Sequence, residues 1–154
     1  MAAVELWERI RETWRLSGAG LRARVSAAHV EAFERCYRVV LPVDVRTYLQ
    51  TVDGTGRDHL EGGMNSFWPL ADIVPVHVAL DDRDGFVHSE RWSFPDCFVF
   101  ADHMVESWWY AVKLTADPTQ PAPVYVVGKT DGGQVSNSFA EFMTRYANDP
   151  QSIW

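Results

Sequence analysis

The chain has 154 residues, 47% of them hydrophobic, 13% aromatic and 23% charged, with a formal net charge of −7. That length suits a single domain burying roughly 70% of its unfolded surface, and the composition excludes disordered and fibrous classes. The acidic balance argues against nucleic-acid binding, because phosphates would be repelled. It is uneven: residues 1–50 hold eight Arg against six acids, and residues 51–154 hold six Lys or Arg against fifteen. Between Asp53 and Glu106 eleven acids face only Arg57, Arg83 and Arg91, a local charge of −8. Such an excess is either a solubilising surface or a face that steers a basic partner.

In chain order, Trp7, Ile10 and Trp14 recur at helical steps, and Glu5–Arg9 is a favourable i,i+4 pair, so a first helix is expected over residues 3–16. Ser17, Gly18 and Gly20 end it. Ser26 caps a second helix whose face carries Val30, Phe33, Tyr37 and Val40. Pro42 opens a third, with Val45, Tyr48, Leu49 and Val52 as its apolar stripe and Asp53-Gly54 as its stop. Residues 54–63 read as a loop. Met64 to Trp68 is a short strand closed by Pro69, and Leu70 to Ile73 a turn of helix. The stretch Asp81 to Pro95 reads as irregular. Strands follow at Cys97–Ala101, Trp108–Leu114 and Val124–Val127, with turns at Asp117-Pro118 and Asp131-Gly132-Gly133. Ser138 and Glu141 form a capping box before a last helix buried through Phe139, Phe142, Met143 and Tyr146. Helices, then strands, then one helix imply a single α+β domain with a mostly antiparallel sheet and about four helices.

Chemical motifs are sparse. No Gly-rich phosphate loop, GxSxG, HExxH or paired CxxC occurs, so no cofactor or metal is expected. The run Leu80-Asp-Asp-Arg-Asp-Gly85 fails as a calcium loop, because Leu80 and Arg91 fall at ligand positions one and twelve. Cys36 and Cys97 are too few for a disulfide framework and read as small buried hydrophobes. No leader-like or membrane-length apolar run is present, so a cytoplasmic location is expected. His88 or His103 with a nearby acid is the one hydrolase-like pairing to consider. In Trp108-Trp109-Tyr110 the strand alternation puts Trp108 and Tyr110 on one face and Trp109 on the other. If one of those faces is uncovered, it offers an aromatic anchor beside Asp102 and Glu106.

Five segments in order resemble the SUKH superfamily, which includes fungal cell-wall-synthesis regulators and bacterial immunity proteins. They are Leu41-Pro42 with Val45, Tyr48, Leu49 and Asp53-Gly54; Phe67-Trp68-Pro69-Leu70 with Ile73; Phe98–Asp102; Ser107–Leu114 with Pro123-Val124-Tyr125; and Ser138–Phe142 with Tyr146. The resemblance spans residues 26–150. It implies an α+β domain that is not an enzyme and binds a protein. For a short chain it implies an immunity protein neutralising a cognate toxin, possibly a nuclease with a basic active face. A regulatory scaffold of the fungal type is the alternative. Twelve Arg against two Lys suggest a high-GC bacterial source. The expected partner-binding residues are Asp81, Asp82, Asp84, Asp102, Glu106 and one exposed member of Trp108 and Trp109, with no nucleic-acid or membrane partner.

Overall fold

The computed structural model describes residues 3–81 and 90–154. Helix α1 (Ala3–Leu16) turns its Leu6, Trp7, Ile10 and Trp14 face fully inward. Helix α2 (Ala27–Tyr37) begins where Ser26 Oγ accepts the His29 N–H and stops at Arg38, whose left-handed backbone returns an N–H to Glu34 O. The helix therefore ends before Val40, whose N–H instead bonds Thr115 O at 2.8 Å. Helix α2 buries only Val30 and Phe33, and so narrow a face leaves Cys36 exposed, contrary to the expectation of a buried thiol; Cys97 is buried. Helix α3 (Val43–Thr51) follows Pro42 and buries Val45, Tyr48 and Leu49. Gly54 then turns with φ +69°, where a Cβ would collide with the Phe67 carbonyl, so glycine is required on both counts.

Strands β1 (Asn65–Phe67) and β2 (Val74–Pro75) lie end to end along one edge of β3 (Cys97–His103), separated by a 3-10 turn at Leu70–Asp72. Helix α4 (Val76–Ala79) leads away from β2. Beyond β3 the sheet continues with β4 (Trp108–Lys113), β5 (Val124–Val127) and β6 (Gly133–Ser136), every pair antiparallel. Helix α5 (Phe139–Asn148) and a 3-10 turn (Pro150–Ile153) close the fold. Strand β6 holds a single apolar side chain, Val135, and β2 is two residues long, one of them Pro75, so neither shows a period. Sheet pairing rather than local propensity makes them.

One face of the sheet meets the helices. Phe100, bulged out of register between Val99 and Ala101, and Tyr110 pack on Phe139 and Phe142 of α5. Trp7, Trp14, Tyr48, Phe67 and Tyr146 fill the layer behind them, with ring centroids 4.7–6.3 Å apart. Segment 90–96 crosses the opposite face, where Phe94 packs on Tyr125 and Glu90 accepts the Gly128 N–H at 2.7 Å. The result is the expected α+β fold, with five α-helices and a six-stranded antiparallel sheet among the described residues.

Candidate functional site

Functional geometry concentrates where β3 turns into β4. Met104, Val105 and Glu106 have φ of 45°, 56° and 63°, one turn of left-handed backbone without a glycine. For L-residues this costs about 1 kcal/mol or more apiece, most of all for β-branched Val105. The surroundings overdetermine it. Ser107 N–H donates to His103 O at 2.8 Å, Ser107 Oγ donates to Met104 O at 3.0 Å, and Met104 N–H donates to Met64 O at 2.9 Å. Asp102, only 3% exposed, accepts the Glu106 N–H on one carboxylate oxygen and the Trp68 indole N–H on the other, at 3.0 and 2.7 Å. The Arg57 guanidinium lies 4.0 Å from the Trp68 ring centroid and bonds the Glu106 carboxylate at 2.8 Å. A rigid knuckle results, with Val105 77% and Met104 50% exposed at its tip and Leu60 and Met64 exposed beside it.

Two adjoining clefts flank the knuckle, each of about 620 Å³, sharing Arg57, Asp72 and Glu106. Asp58, Leu60 and Val105 complete one; Asp81, Val78 and Trp68 complete the other. Acids outnumber bases in both, four against Arg22 and Arg57 in the first and three against Arg57 in the second, and apolar side chains complete the lining.

The predicted residues fall unevenly on this site. Asp81 is exposed, lines the cleft and pairs with Arg91. Glu106 sits between the two clefts, paired with Arg57. Asp82 and Asp84 lie outside the described residues, as does His88. Asp102 borders the cleft but is a buried anchor of the turn rather than an exposed acid. The strand alternation at Trp108, Trp109 and Tyr110 is as expected, yet neither tryptophan is an exposed anchor. Trp109 is 1% exposed against Gly128, and Trp108 is half-buried, stacked 4.1 Å from His103 with Lys129 over its ring. The apolar contacts a partner would meet are instead Met104, Val105, Leu60 and Met64, which their sequence neighbours do not single out. Met64, Met104 and Val105 have positive φ without being glycine, which no local pattern announces.

His103 lies beside a second, wholly buried polar cluster. Its Nδ1 donates to Asn65 Oδ1 at 2.9 Å, the orientation fixed because Asn65 Nδ2 donates to Glu61. Glu61 also accepts from the Asn65 and Gly63 N–H groups, both at 2.8 Å, and from Tyr146 OH at 2.6 Å; Tyr146 in turn accepts the Trp14 indole N–H. Burial pushes the Tyr146 phenol far above its ordinary range and holds the His103 imidazole below its own. Each carboxylate oxygen of Glu61 thus accepts at least two hydrogen bonds, and the cluster ties the 54–64 loop to α1 and α5. Among the described residues no three His, Cys, Asp or Glu side chains converge as a metal set, and no helix is long and apolar enough to cross a membrane.

A comparison with curated proteins finds no match. A family model described as the SMI1 / KNR4 family (SUKH-1) matches residues 24–145, which include every strand of the sheet. With its antiparallel sheet, covering helices and acidic, knuckle-bordered cleft, the chain belongs to the SMI1 / KNR4 family (SUKH-1).

Proposed function

We propose that this domain is a non-catalytic binding protein that neutralises a cognate toxin by covering a basic surface on it. The observation that supports this reading is the juxtaposition of an acidic double cleft with a rigid apolar knuckle. Carboxylates at the rim speed encounter with a basic surface and orient it. Met104 and Val105 supply desolvated contact area without the entropy loss of ordering a loop on binding, because the turn is already fixed. A toxin acting on nucleic acid presents Lys and Arg to phosphates, and this cleft has the complementary charge.

The test is binding to the product of the adjacent gene, measured at rising salt. We expect tight binding whose association rate falls steeply between about 50 and 500 mM salt, as screened steering requires. Affinity and rate unchanged across that range would overturn the electrostatic part. Tight binding that leaves the partner's activity intact would instead favour a recruiting scaffold.

A further inference from the structure

On the far side of the Leu70–Val74 segment from the acidic cleft, a separate pocket of about 420 Å³ opens between α2 and the body of the fold. Its volume is that of small-molecule sites, which run from roughly 300 to 1,000 Å³. Buried Phe33, Leu70 and Ile73 form an apolar floor, and exposed Ala32, Cys36 and Ala71 form a low rim. Tyr37, half-buried on the wall, continues the aromatic surface, with its ring 4.9 Å from Phe33 and 5.1 Å from Phe98.

One half-buried carboxylate faces this apolar space. Asp53, which follows α3, accepts the Leu70 N–H on Oδ1 at 2.7 Å. Among the described residues no hydrogen bond or ion pair engages its Oδ2. Burial raises its carboxyl above the ordinary range, opposed chiefly by the Leu70 N–H. Arg22, His29, Asp72 and the buried Tyr48 are charged or titratable groups near it, and Cys36 and Tyr37 line the same pocket. A cationic donor reaching that oxygen from the pocket exchanges a hydrogen bond to water for a charge-assisted one in a partly desolvated place.

We infer that this pocket binds a small amphipathic cation, a ring-sized apolar group carrying an ammonium or guanidinium head directed at Asp53. The ring fills the space over Phe33, Leu70 and Ile73, and the head meets the Asp53 carboxylate. An anionic head is disfavoured by Asp53 with Asp72 behind it. The pocket shares the wall at Ala71 and Val74 with one acidic cleft but none of its carboxylates, and its test needs no toxin, so it stands or falls without the toxin-binding reading.

Cys36 on the rim provides the readout, since Cys97 is buried and slow to react. The rate of Cys36 alkylation by iodoacetamide is followed with phenethylamine, 2-phenylethanol or 3-phenylpropionate, alongside amide NMR shifts at Ala32 and Ala71. Phenethylamine at millimolar concentration should slow alkylation by about threefold or more, as filling most sites requires. The alcohol should protect less, and the acid not at all. Asp53→Asn keeps an acceptor for the Leu70 N–H but should erase the advantage of the amine over the alcohol. Ala32→Phe, on an exposed helix position, should fill the rim and abolish protection by every probe. Argininamide carries the cationic head without a ring and should protect less than phenethylamine. Protection matching that of phenethylamine would show that the apolar floor is not read, and would overturn the ring contact. Protection by neither, equal protection by the acid, or an amine preference that survives Asp53→Asn overturns the inference.

Discussion

Two sets of carboxylates lie close together in the sequence and do opposite work. Glu61 and Asp102 are buried, 4% and 3% exposed, and each joins backbone donors within four residues to one side-chain donor from a distant segment. Asp58 and Asp72 line the open clefts toward water, beside Asp81 and Glu106, which are held in ion pairs with Arg91 and Arg57. A carboxylate that organises a fold must satisfy its lone pairs internally, whereas one that steers a partner must keep them toward water. The acidic excess of residues 53–106 therefore overstates the charge offered to a partner.

Substitutions can break this contrast, and the largest effect belongs to the buried set. Glu61→Ala leaves the Gly63 and Asn65 N–H groups, the Asn65 amide and the Tyr146 hydroxyl without their acceptor, and should cost about 3–5 kcal/mol in urea unfolding. Asp102→Asn keeps one acceptor but sets donors against either Trp68 Nε1 or Glu106 N, and should cost about 1–2 kcal/mol. If it instead changes only the salt dependence of partner binding, Asp102 belongs with the exposed set.

Acid should also find the buried side. The His103 imidazole is held below its ordinary value by burial, so the folded chain binds fewer protons than the unfolded chain as pH falls below about 6.5. Its contribution is complete above that pH and is lost as pH drops toward the lowered folded value, at no more than about 1.4 kcal/mol per pH unit. Unfolding midpoints at successive pH values, with His103→Gln flattening the decline, would show it. Val105→Gly should relieve left-handed strain and stabilise the fold by about 1 kcal/mol, while removing apolar contact area and speeding partner dissociation. A destabilised Val105→Gly variant would mean the turn is not strained. The smallest effect on stability, within about 0.5 kcal/mol, is expected for Asp58→Asn with Asp72→Asn, at an exposed and a half-buried cleft position. That pair should nonetheless reduce the rate of partner association and its dependence on salt.

Helix α1 draws a second line through the molecule. It precedes the family-matched residues, yet Trp7 and Trp14 are among the most buried side chains, and Trp14 donates its indole N–H to Tyr146 of α5. The three- and four-residue spacing of Trp7, Ile10 and Trp14 made this helix readable, but what it covers was not. The C-terminal residues were likewise undecided by pattern. In the fold Ile153 is buried with its carbonyl accepting the Tyr110 hydroxyl, and the Trp154 indole donates to Gly63 O.

Periodicity and capping determined the main helices and central strands, because amphipathic spacing and Ser, Pro and Gly chemistry act within a few residues. The ordered run of motifs identified the family for the same reason: it is a string of local features. Which acids are open, which tryptophan is core and where a partner would dock depended on residues far apart. Asp102 meets Trp68 across 34 positions and Glu61 meets Tyr146 across 85. Burial and hydrogen-bond satisfaction are properties of the assembled sheet and helices, so only the tertiary structure could separate the −8 stretch into anchors and an available face.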